Sequence, residues 1–342
     1  KTPYLSLCLG GALTAYNYAP TLLYNNDDYE YGKTATTAKN TAQIENPTGI
    51  CTAQSIRLLG LHYKNATEML TAQTPQLLGS SPKGSYAGVS IYGNTTENNV
   101  LTITAGTHTA ARAGYTIAKN GSTKNNTLTI TGGTVGEAYG GWTEGQNLLA
   151  STAVDETHPV AVNTGANAEA EGNKLNLSGG TIGANGKIAG GYIAKYTLHQ
   201  SHLVSAGDAK TNKVNISGGT VAPASGVGGT VYGGYISSAT SAGDATGNSV
   251  TITGGSMGDV YGGFTAGTGK TTESTVSLGD GEHSLAAVTT INGTIYGGNG
   301  TDTTGNTLNV KTNAAAANIK NFENLAFYVN SSALNAANPM LT

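Results

Sequence analysis

Charge is the first thing missing from this chain. Of its 342 residues only 11% are Asp, Glu, Lys or Arg, where a soluble globular domain carries roughly a quarter. Neither an ordinary cytosolic enzyme nor a charged disordered tail fits that shortage. With 17 basic against 20 acidic residues the net charge is −3, so there is no basic field for a nucleic acid. Eight prolines exclude a collagen. The strong helix formers Glu, Lys, Arg and Met are scarce, which argues against long helices. No apolar run approaches the ~18 residues of a transmembrane helix, so no membrane insertion of that kind is expected. The two cysteines, Cys8 and Cys51, are too few for a zinc ribbon or a disulfide-dense scaffold. They fit two buried thiols, or one disulfide closed in an oxidising compartment.

What the chain has is Gly, 50 residues of it, among Thr, Asn and Ser. That composition belongs to an all-β chain with many turns. Self-similarity dominates everything else. Asn126-Thr-Leu-Thr-Ile-Thr-Gly-Gly-Thr-Val135 returns as Asn173-Lys-Leu-Asn-Leu-Ser-Gly-Gly-Thr-Ile182. It returns again from Asn212 to Val221 and from Asn248 to Met257, with weaker copies near Asn99, Ser274 and Asn306. Each copy has a second half: Ala138-Tyr-Gly-Gly-Trp142, Ile188-Ala-Gly-Gly-Tyr192, Val231-Tyr-Gly-Gly-Tyr235, Val260-Tyr-Gly-Gly-Phe264 and Ile295-Tyr-Gly-Gly-Asn299.

One copy carries its own physics. Val214 and Ile216 alternate with Asn215 and Ser217, which is a strand with one buried face. Gly-Gly ends that strand at a sharp corner. Thr-Val or Thr-Ile opens a second short strand, and the Tyr-Gly-Gly half is expected to open a third. Strands this short cannot bury a face alone, but stacked coils can. The expected fold is a parallel β-helix. In it Asn126, Asn173, Asn212, Asn248 and Asn306 would lie above one another, either as an amide ladder or simply as turn formers. Trp142, Tyr192, Tyr235 and Phe264 would form an aromatic stack, a structural column more than a sugar platform.

Spacing between copies is uneven: from Asn126 the starts lie 47, 39 and 36 residues apart, and Asn248 to Ser274 is 26. The shortest is read as a bare coil, and the rest as a coil plus a loop. Insertions fall at 143–172 and 193–211, with a shorter one at 222–229. The first two leave after the aromatic residue, so they are expected to emerge on one side. Residues 1–97 lack the repeat and are rich in Tyr. They are read as an irregular N-terminal cap or first coils, with one plausible helix near Arg57–Gln73. An apolar run within residues 1–15 fits a buried strand or the remnant of an export signal. The Gly-Gly repeat runs over 98–312. Residues 313–342 lose it, and Ile319–Tyr328 reads as a last pair of strands.

The Asn-x-Val-x-Ile-Ser-Gly-Gly-Thr-Val … Val-Tyr-Gly-Gly-Tyr pattern resembles the repeats in passenger regions of bacterial autotransporters, the surface proteins of type V secretion. The closing Ile319-Lys-Asn-Phe-Glu-Asn-Leu-Ala-Phe-Tyr328 is similar to the segment that follows such repeats. The likeness covers 98–342. It implies a right-handed helix, export across two membranes and display outside the cell at the outer membrane. It transfers no catalytic residue. The 342 residues hold no membrane barrel, so a fragment or an independent secreted subunit is expected.

Chemistry is hard to find. His199 and His202 stand three apart with no carboxylate between, short of a tetrahedral metal set; His62, His108, His158 and His283 stand alone. The Gly-Asp pairs at 207–208, 243–244, 258–259 and 279–280 lack the spacing of calcium-binding repeats and read as turns. Glu137 and Asp259 take equivalent turn positions, with Asn185 expected to interrupt their column. No carboxylate pair for glycoside hydrolysis is visible on one face. Neither a Walker loop nor a nucleophile elbow occurs. The expectation is therefore no catalytic, metal or cofactor site. The partners expected are a host or neighbouring-cell surface, protein or glycan, or other copies of the chain.

Overall fold

In the computed structural model, residues 17–19, 36–38, 41–44, 84–90, 95–116, 122–143, 168–194, 207–221, 229–239, 241–281, 284–329 and 340–342 are described. They form a parallel β-helix with three sheets of ten, twelve and six strands. Neighbouring strands pair parallel throughout, except that Asn17–Ala19 runs antiparallel to Thr41–Ile44. Parallel pairing also continues before residue 98: Gly84–Ser90, Thr36–Ala38 and Thr41–Ile44 each pair with a later coil.

A single coil shows how sequence becomes shape. Lys174–Leu177 lies in the ten-stranded sheet. Leu175 and Leu177 point inward and are buried, while Lys174 and Asn176 face out. The same inward columns hold Leu128 and Ile130, Val214 and Ile216, Val250 and Ile252, and Val276 and Leu278, each at 1% exposure or less. Burying such side chains contributes about 1.5–3 kcal/mol apiece, and their alternation fixes the register. The chain then turns through Gly179 and Gly180. Gly180 sits at φ +81, a conformation that a side chain would strain. Thr181–Ile193 crosses the twelve-stranded sheet and places Ile182 and Ile188 in the same core.

The third strand of a coil is not the Tyr-Gly-Gly half. That half and the Thr-Val or Thr-Ile start lie in one sheet, in places as one strand, as in Thr134–Thr143. The third sheet is built instead from very short strands just before the repeated Asn, such as Ala170–Glu171, Ala209–Lys210 and Ala245–Thr246. The first two fall inside the ranges read from sequence as insertions. Two residues are too few to show an alternation. The buried member of each is Ala, packed in a small cluster with Ile193 and Ile236.

The helix suggested near Arg57–Gln73, the run at 1–15, Cys8 and Cys51 lie outside the described residues. The last pair of strands is present as Asn318–Lys320 and Asn324–Phe327, parallel to Thr294–Gly298 and Thr307–Val310.

Candidate functional site

The repeated Asn residues stand at the corner between the six- and ten-stranded sheets, all at 0–1% exposure. The amides of Asn126, Asn173, Asn212 and Asn306 each bond to the coils on either side. The Asn126 Nδ2 donates to Asn173 Oδ1 at 2.9 Å and to the Thr96 carbonyl at 2.8 Å. Asn173 repeats this with Asn212 Oδ1 and the Thr123 carbonyl, and Asn212 with Asn248 Oδ1 and the Ala170 carbonyl. The backbone N–H of each donates to the same oxygen above it, as Asn212 does to Asn248 at 2.9 Å. Asn99 starts the series by donating to Asn126. Asn248 donates to the Ala209 carbonyl, but the next corner holds Ser274. The amide pattern resumes at Asn306, whose Oδ1 accepts from the Ser274 N–H.

This ladder explains the distant Gly-Gly half of the motif. A Cβ on Gly114, Gly191 or Gly234 would fall on the amide of Asn126, Asn212 or Asn248 respectively. The two halves are one packing unit: the second Gly leaves the space that the corner amide fills. The residue just before the corner position, Asn or Ser274, is left-handed, whether glycine or not: Asn98, Asn125, Gly172, Thr211, Gly247, Glu273 and Gly305 have φ between 53 and 70.

On the outer side of the Tyr-Gly-Gly strands lies an aromatic face with two columns. Trp142, Tyr192, Tyr235 and Phe264 form the expected one: their successive centroids lie 4.2, 4.8 and 5.2 Å apart. The second column holds the Tyr of Tyr-Gly-Gly itself and was not read from the sequence, although the motif printed it. Tyr139, Tyr232, Tyr261 and Tyr296 are its members, with Ala189 in place of one ring. The columns touch, as in Tyr232 on Tyr235 at 4.3 Å and 10°. Most tyrosine rings stack face to face, Tyr261 on Tyr296 at 4.4 Å and 1° among them. Their faces are thus occupied by one another, an arrangement that favours cohesion over stacking on a sugar. Tyr296 ends one column in half-burial. At Asn299 the other gives way to an amide that bonds the Thr265 N–H and carbonyl.

Arg112 stands in the tyrosine column one coil before Tyr139. Its guanidinium lies 3.9 Å from the Trp142 ring centroid and 5.0 Å from that of Tyr115. This cation–π anchor was also missed in the sequence, because Arg112-Ala-Gly-Tyr115 disguises a Tyr-Gly-Gly copy. Burial pushes the phenols of Tyr139, Tyr232 and Tyr261 well above the ordinary tyrosine range, so they remain neutral hydrogen-bonding groups.

Several of the described charges are tied to the scaffold. Along the six-stranded sheet Glu97, Lys124, Glu171 and Lys210 alternate in register. Lys124 lies 3.3 Å from Glu171 and 3.5 Å from Glu169, and Lys210 lies 2.7 Å from Asp208. Burial pulls the Lys124 ammonium down, but Glu171 and Glu169 more than offset it and leave its pKa raised. The Gly-Asp turns clamp coil to coil: Asp208 accepts the Asp244 N–H, Asp244 accepts the Lys270 N–H, and Asp259 accepts the Thr294 N–H. Lys187, not Asn185, stands beside Glu137. A register shift after Val135 loops out the residues between Ile182 and Lys187, which a count along the sequence could not place. His108 is buried with Nε2 3.0 Å from the Ala105 carbonyl, and desolvation lowers its pKa. The other five histidines lie outside the described residues. Among the described residues, no three His, Cys, Asp or Glu side chains gather to hold a metal ion.

The two longer insertions share one corner, whereas the one at 222–229 leaves between Thr220–Val221 and Thr230–Ile236. Thr143, Ile193, Ile236 and Thr265 are register partners, and the chain leaves the twelve-stranded sheet just after them. The backbones at Ala168 and Gly207, where two insertions return, lie against each other. The fold and its surfaces define a parallel β-solenoid whose described side chains mainly hold coils together. Compared with family models, curated proteins and solved structures, the chain matches none.

Proposed function

We propose that this chain is a non-enzymatic, extracellular surface protein, an adhesin-like passenger of the autotransporter kind that contacts host or neighbouring-cell surfaces. One observation supports the reading above others. The two long excursions from the coil leave and return at a single stacked corner, beside the register partners Thr143 and Ile193. A solenoid that gathers its inserted segments along one line presents them together to a large partner, protein or glycan. The ladder amides, the clamping aspartates and the paired lysines are engaged in stacking, which leaves recognition to the excursions.

The test is to replace the segment between Thr143 and Ala168 with a short turn. Binding to cells, matrix proteins or a glycan array should fall at least ~10-fold, equivalent to about 1.4 kcal/mol. Circular dichroism and thermal unfolding should be unchanged. Full binding by the shortened chain would contradict the proposal.

A second reading, a self-assembling secreted subunit, has its own observation. Leu325, Phe327, Tyr328 and Val329 are 45–54% exposed at the end of the ten-stranded sheet.

A further inference from the structure

Leu325 and Phe327 are in register with Leu308 and Val310, which are wholly buried. They therefore occupy the interior columns of the last coil, on a strand that ends the sheet. The backbone is equally unfinished. The Asn324 and Tyr328 N–H groups donate back to the Asn306 and Val310 carbonyls. N–H and C=O groups alternate in direction along a strand, so those of Leu325 and Phe327 point to the open edge, where no described strand pairs with them. Natural edge strands are guarded by charge, proline or a bulge. Asn324–Val329 has neither charge nor proline.

From this edge we propose that the chain forms a closed two-fold dimer, in which Asn324–Phe327 pairs antiparallel with the same strand of a second copy. The segment is self-complementary. Centred on Ala326, the pairing sets Leu325 against Phe327 of the second copy and Phe327 against its Leu325. Those are the residues whose backbone groups face the edge, so each pair exchanges both of its N–H···O bonds. Ala326 meets its own equivalent in the non-hydrogen-bonded position, with Cα atoms about 4.5 Å apart. The interface continues a ladder already built coil upon coil and buries the exposed apolar residues of both copies. It is isologous, so assembly stops at two. The inference rests on the self-assembly reading and narrows it, and it is compatible with display of the insertion corner.

Sedimentation of the full 342-residue chain tests it. The parent chain should be a dimer. Leu325→Lys and Phe327→Lys should each give folded monomers at concentrations where the parent is fully dimeric. The double variant Leu325→Glu/Phe327→Lys should restore the dimer, because two-fold antiparallel pairing sets each new acid against the new base of the other copy. Ala326→Cys should form a covalent dimer on oxidation, with the cross-link mapping to position 326 on both chains. Open-ended polymers would overturn the dimer while keeping self-assembly. A parent chain that remains monomeric would overturn both. A dimer indifferent to these substitutions, or not rescued by the double variant, would overturn the assigned surface.

Discussion

Two stretches of the same corner differ in one residue. From Asn126 to Asn248 every coil supplies a buried amide whose oxygen caps the backbone N–H of the corner Asn in the coil before it. At the next coil Ser274 stands there, and it offers no amide oxygen to Asn248. The strands nevertheless keep their register across the gap: Val250 pairs with Val276 and Ile252 with Leu278. Apolar columns and strand pairing thus set the stacking, and the amide adds satisfied buried polar groups to a fold already specified. Glycine does not lapse with the amide. At Gly263 a Cβ would meet the Ala245 carbonyl, so backbone closeness alone demands Gly there.

The comparison breaks most sharply if an amide is removed where the ladder is intact. Asn212→Ala withdraws the acceptor of the Asn173 N–H and Nδ2 and the donor to the Ala170 carbonyl, all buried. Stability should fall by about 3 kcal/mol, read as a lower denaturant midpoint. A loss near zero would mean that the ladder is incidental to a fold held by its apolar columns.

The reverse substitution sharpens the same point with a smaller effect. Ser274→Asn supplies an oxygen for the Asn248 N–H and a donor for the Ala245 carbonyl, as Asn248 and Asn212 do one and two coils earlier. A gain of about 1 kcal/mol is expected from the added bonds. Thermal unfolding checks it, and a loss would show that the corner at Ser274 has closed too far to admit an amide.

Much of this architecture was legible in the chain. Val214 and Ile216, or Val250 and Ile252, announce a strand by alternation, and Gly-Gly announces the corner. The Asn copies pointed to a ladder or to turns, with both left open. What alternation could not show was the third sheet, because Ala170–Glu171 and its relatives are two residues long. Nor could spacing place Glu137 beside Lys187, because the coil from Ile182 carries extra residues that shift the register. The tyrosine column and Arg112 were in plain view, but period-two reasoning sends neighbours to opposite faces. The Gly-Gly pair sets aside that rule and brings Tyr232 and Tyr235 together on one.

The central claim is that the corner Asn and the Gly-Gly pair are one unit. A double-mutant cycle on Gly191 and Asn212 tests it most directly, since a Cβ at Gly191 would meet the Asn212 amide first. Gly191→Ala alone should cost about 3 kcal/mol by overpacking. In the Asn212→Ala background it should cost far less, giving a coupling above ~1 kcal/mol. Additive losses would contradict the account, and the two halves of the motif would then be independent features that happen to share a coil.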